Sequence, residues 1–95
     1  MVVGVGCITF RIHQCGSLKG KRKVVKAIIA RIRNNFNASV AEVADNDVYQ
    51  RAVIGICMMG SDRRQINAKL DKLFNFAESL GLAEMTDSEL EIISF

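Results

Sequence analysis

The sequence predicts an α+β domain whose elements follow in the order βαββαβ. Three observations carry that prediction: apolar residues alternate at period 2 in the strand segments, they recur at helical spacing in two others, and a capping residue stands ahead of each helical run. Ninety-five residues suffice for one domain with a modest core, so residues 1–95 are read as a single unit. An apolar share of 49%, a charged share of 24% and the absence of proline fit a globular chain rather than a disordered one.

Val2 to Ile12 reads as the first strand. Val2, Ile8, Phe10 and Ile12 share one side with Gly4 and Gly6, and Val3, Val5, Cys7, Thr9 and Arg11 share the other. Two glycines on the core side weaken a strand unless something packs closely there, so a helix backbone is expected to approach. His13 to Gly16 forms a loop and Ser17 is the N-cap of the first helix. That helix should close near Asn34 to Asn37, where asparagine tolerates the left-handed conformation. Ser39 to Ala44 is a short strand with Ala41 and Val43 on one side and Val40 and Glu42 on the other. Asp45, Asn46 and Asp47 form a turn, because such side chains bond their own backbone. Arg51 to Met59 is apolar throughout, which suits a central strand, and its short link to the previous one predicts a hairpin.

Asp62 and Gln65 are spaced as a capping box ahead of the second helix. Ile66, Leu70, Leu73, Phe74, Ala77 and Leu80 form its apolar stripe, and Gly81 stands where a closing glycine belongs. A last strand covers Glu84 to Phe95. This order is most simply a ferredoxin-like split βαβ sandwich, with four antiparallel strands and both helices on one face. The first and third strands are then central, the last lies at an edge beside the first, and Arg11 is placed to pair with Glu89 or Glu91 across the open face.

The stretch from Ser17 to Phe36 carries the strongest functional signal. It holds Lys19, Lys21, Arg22, Lys23, Lys26, Arg31 and Arg33, seven of the thirteen basic residues, and no acidic one. Lys19, Lys21, Arg22 and Lys23 crowd the first turn against the helix dipole, an arrangement that suits an anion arriving from outside. No Glu–Lys pair at i,i+4 balances the helix, so its like charges repel, and the acidic C-terminus is the first suspect for neutralising them. Counterion release on phosphate is what an unbalanced cationic face would use. Lys19, Lys21, Arg22, Lys23, Lys26 and Arg33, with Arg51, are therefore the expected nucleic-acid contacts.

Other chemistry finds less support. Cys7, Cys15 and Cys57 are odd in number and lack a CxxC pair, which points to reduced thiols in a cytoplasmic protein, with Cys7 and Cys57 as small apolar fillers on adjacent strands. His13, the single histidine, reads as a solvated loop residue. A Cys15–His13 dyad would lack an orienting third group, and no metal or cofactor set is expected. No apolar run reaches the ~18 residues of a membrane span, and the first ten residues lack the basic region of a signal peptide. An RNA-recognition fold of this order would stack bases on open-face aromatics, whereas here that face offers Val3, Val5, Cys7, Val53, Cys57 and Met59. Such an apolar face predicts sheet-to-sheet self-association into a homo-oligomer.

Ser17-Leu18-Lys19 with Lys21-Arg22, then Phe36-Asn37 through Val40-Ala41-Glu42-Val43, and Gln50-Arg51-Ala52-Val53-Ile54-Gly55 resemble the YlxP-like family of small bacterial proteins over essentially the whole chain. Members are encoded beside a ribosome-binding factor and translation genes, so the resemblance implies a role around ribosome assembly, with ribosomal RNA or the small ribosomal subunit as partner. Gly20 departs from the acid usual in the family, which leaves the first turn more cationic and looser. The reading from sequence is a non-enzymatic RNA-associated domain. The alternative is a homo-oligomeric protein- or small-ligand-binding module whose basic helix is only a solvated face.

Overall fold

In the computed structural model, which describes residues 1–95, the chain forms β1 (Val2–Arg11), α1 (Leu18–Asn35), β2 (Ser39–Ala44), β3 (Arg51–Gly60), α2 (Arg63–Ser79) and β4 (Glu84–Ser94). All neighbouring strands pair antiparallel in the order β2-β3-β1-β4. The architecture is the expected ferredoxin-like α+β sandwich. β1 and β3 are central, β4 is the edge beside β1, α2 packs over β1 and β4, and α1 packs over β2.

The alternation of β1 decides where the core lies. Val2, Ile8 and Phe10 face the helices with Gly4 and Gly6 between them, and all are buried. Opposite them on β3, Ala52, Ile54, Ile56 and Met58 face the same way. Ile66, Leu70, Leu73 and Ala77 of α2 and Val25, Ile28 and Ile32 of α1 complete one continuous cluster. Burying a side chain the size of Leu70 or Leu73 contributes about 1.5–3 kcal/mol, so the α2 stripe is a principal source of cohesion. β1 ends one residue earlier than expected, yet Ile12 stays buried because its N–H donates to the Gln50 carbonyl at 2.9 Å.

Both helices begin where the capping residues place them. The Ser17 hydroxyl accepts from the Gly20 N–H at 3.1 Å, and the Asp62 carboxylate accepts from the Arg64 and Gln65 N–H groups at 2.8 and 3.3 Å. Gly81 closes α2 with a left-handed φ of 69°. α1 closes within the expected stretch from Asn34 to Asn37, but by another route. No asparagine becomes left-handed; Phe36 turns extended at φ −137°, donates its N–H to Ile32 and sets its ring edge-on to Phe76 at 5.5 Å. Just past its last turn, α1 is thus joined to α2 by an aromatic contact.

The two core-side glycines of β1 admit side chains rather than a helix backbone. A Cβ at Gly4 would stand 2.6 Å from Ile66 Cγ2 and 2.8 Å from Leu70 Cδ1, and one at Gly6 would stand 2.9 Å from the Phe74 ring. The helix therefore keeps its distance and fills the gap with its apolar stripe. Arg11 also departs from expectation. A register shift between Thr9 and Phe10 sets it opposite Glu84, whereas Glu89 pairs with Cys7 and Glu91 with Val5 further up the strand. Neither acid is within reach of Arg11.

Candidate phosphate-contacting face of the first helix

Helical geometry sorts the cations of α1 into two groups. At 3.6 residues per turn, Lys21 lies in line with Val25, Ile28 and Ile32, the stripe that faces the sheet. Lys19, Arg22, Lys23 and Lys26 lie on the opposite side and are all exposed. These four surround a shallow, solvent-open depression of about 550 Å³. None of them has a carboxylate within ion-pair distance; the ion pairs of the chain join His13 to Glu84, Lys21 to Glu42 and Arg51 to Asp45.

Lys21, expected as a nucleic-acid contact, is 1% exposed and turned inward. Its Nζ lies 2.9 Å from Glu42 Oε2 and donates to the Asp45 carbonyl. β2 alternation puts Glu42 on the helix side with Val40, so the one acid of β2 meets the one cation on the core side of α1. Asp45 adopts a left-handed φ of 56°, and its Oδ2 accepts from Arg51 Nε at 2.8 Å. The result is a tether from α1 through β2 and the following turn to β3.

Arg51 therefore does not join the α1 face. Its register partner is Arg11, which sets it on the open side of the sheet, and its guanidinium is held by Asp45. Arg33 does lie on the outer side of α1, but its Nη2 donates to the Val40 carbonyl at 2.7 Å, tying the end of the helix to β2. Four of the seven expected contacts thus form one free cationic surface. On α1 the neutralising acid is Glu42 alone, and it reaches only Lys21. Asp87, Glu89 and Glu91 share the open face with Thr9, Cys7 and Val5, away from α1.

The residues considered for nucleophilic chemistry are engaged separately. Cys15 is buried and its Sγ donates to the Ser17 carbonyl at 3.3 Å. His13 is exposed, and its Nε2 lies 2.7 Å from Glu84 Oε1, so it is paired rather than simply solvated. Cys7 and Cys57 lie on the open face two register positions apart, Cys7 opposite Gly55 and Cys57 opposite Val5. Cys57 is exposed and fills no core space. No group of three or more His, Cys, Asp or Glu side chains comes together as a metal site, and no helix is long and apolar enough to cross a membrane.

The family described as "Protein of unknown function (DUF503)" matches residues 3–90. The chain belongs to this family. It is 38% identical over 80 residues to "Uncharacterized protein YlxP" of Bacillus subtilis (strain 168), covering 84% of this chain and 87% of that protein. Among solved structures, a mutant of SnoaB, a cofactor-independent oxygenase from Streptomyces nogalater, is similar in fold at a TM-score of 0.53 and 14% identity, over 98% of this chain and 92% of that one. The VAO-type flavoprotein MtVAO615 from Myceliophthora thermophila C1 gives a TM-score of 0.52 at 17% identity, over 98% of this chain but 16% of its own. At such identities the likeness is one of fold only.

Proposed function

We propose that this DUF503 protein is a non-enzymatic, cytoplasmic RNA-associated domain that lays the outer face of α1 along a phosphate backbone, with ribosomal RNA or the small ribosomal subunit as its partner. One observation carries the reading: Lys19, Arg22, Lys23 and Lys26 stand together, exposed, with no carboxylate of the chain within ion-pair distance. Four cations facing one way, ahead of a helix dipole that adds to them, form a surface for successive phosphates. Phosphate contacts fix position without reading bases, so unrelated RNA sequences should bind with similar affinity.

Fluorescence anisotropy with a labelled single-stranded RNA over a salt series tests this. Neutralising about four phosphates gives a log–log slope of roughly −3 on a single strand. Replacing Lys19, Arg22 and Lys26 together by Gln should weaken binding and flatten the slope by about 2. Replacing Lys21 by Met should leave the slope as it was, because its charge is spent on Glu42. A triple variant that binds as the parent does would remove α1 from the interface.

A further inference from the structure

The face of the sheet that the helices leave open is covered by a small number of apolar side chains. Val5, Val43 and Met59 are 40%, 57% and 69% exposed, and Val3, Val53 and Cys57 lie among them. Val43 shares this face with Ala41 by alternation, and beside the bulge between Glu42 and Ala44 its Cγ1 takes the space a Cβ on Gly55 would fill. β1 and β3 each run ten residues, so four strands about 4.8 Å apart at a rise of 3.3 Å per residue present roughly 600 Å² in projection. Standing side chains raise the accessible area above its projection. The face thus approaches the ~800 Å² per partner that a standard stable interface covers.

We propose that this open face binds the same face of a second copy of the chain, making a two-fold helix–sheet–sheet–helix dimer. Its charges select the occupant and its orientation. The central strands contribute no charge except Arg11 and Arg51 at one end, and Asp87, Glu89 and Glu91 form a single acidic row on β4. That row repels phosphate and anionic lipid, while the neutral centre matches itself. A two-fold axis across the strands would stack each acidic row on its own copy, with like charges in register. An axis along the strands instead sets β4 of one copy over β2 of the other; it also brings Arg11 over the partner's Arg51, whose charge Asp45 already balances. Register then puts Glu89 over Ala41 and Glu91 over Ser39, which are exposed and uncharged. The axis runs along the strands, and both α1 cationic faces point outward.

Sedimentation equilibrium of the full chain tests the dimer, and the result is independent of any RNA binding. At about 100 µM, a hundredfold above a micromolar dissociation constant, the mass should be twice the 10.5 kDa of one chain. Val5→Asp and Met59→Asp alter residues exposed in the single chain, so each should keep the parent circular dichroism and sediment as one chain. Ala41→Lys distinguishes the two axes: it should tighten the dimer at least several-fold by facing Glu89 of the partner, whereas the crosswise axis would set lysine on lysine and loosen it. A one-chain parent, or a dimer that survives both aspartates, overturns the proposal, whatever other molecule the face then takes. A looser dimer in Ala41→Lys overturns the arrangement along the strands.

Discussion

A lysine on the core side of a helix must bring its charge to a partner, because an unpaired ion in the interior costs several kcal/mol. Lys21 has Glu42 at 2.9 Å and the Asp45 carbonyl as partners. Removing one member of such a pair is more damaging than never having had either. Lys21→Met should therefore lower stability by about 3 kcal/mol in urea unfolding, because Glu42 is left without its counter-charge. Adding Glu42→Met should restore most of the loss, since apolar residues of similar volume replace buried pairs well. A single variant as stable as the parent would mean that water reaches Glu42. The inward turn of Lys21 was legible in the sequence: it precedes Val25, Ile28 and Ile32 by four, seven and eleven positions, so it belongs to their stripe. Counting positive charges along the segment hides that phase. The identity of its partner was less accessible, since alternation in β2 grouped Glu42 with Val40 without saying which side met the helices, and only packing brought it beneath the start of α1. The same holds for Arg33 and Arg51, whose guanidinium groups are held by partners on other elements.

The elements themselves were more legible than their ends and contacts. Alternation, the unbroken apolar run of β3 and the capping residues located all six, because these signals are local. The place where α1 closes was legible but its means was not, because the Phe36 ring meets Phe76 of α2 forty residues away in a contact that no local motif encodes. The glycines of β1 were recognised as places of close approach, but what approaches depends on how far α2 stands from the sheet. That distance can be probed by substitution. A methyl at Gly4 meets Ile66 Cγ2, a branch stiff at χ1, whereas one at Gly6 meets the half-buried ring of Phe74, which has room to swing outward. Gly4→Ala should cost about 1–3 kcal/mol as overpacking does, and Gly6→Ala measurably less. Thermal unfolding of the two variants side by side measures the order. Equal losses would mean that α2 shifts as a rigid body, and the reverse order that the Phe74 ring is the more firmly held.

At the scale of the whole molecule the charges are separated by layer and by edge. The free cations lie on the outer side of α1, which covers β2, while the acidic row lies on the open side of β4, the opposite edge of the sheet. A helix is about 10–12 Å across, so with the sheet layer and three strand spacings between them the two groups stand roughly 20 Å apart. The Debye length is about 8 Å at 0.15 M salt and about 30 Å at 0.01 M. If RNA lies on α1 as proposed, the β4 acids should influence it only when salt is low. Glu89→Gln with Glu91→Gln should leave the dissociation constant within about twofold at 0.15 M and tighten it several-fold at 0.01 M, as screening is withdrawn. Anisotropy titrations at the two salt concentrations measure both values. Comparable tightening at both would place the phosphates against β4, where the acids act at close range, and would move the interface off the first helix. The pattern holds in the proposed dimer too, because each acidic row then lies over the partner's β2, still a sheet and a helix away from the nearest cationic face.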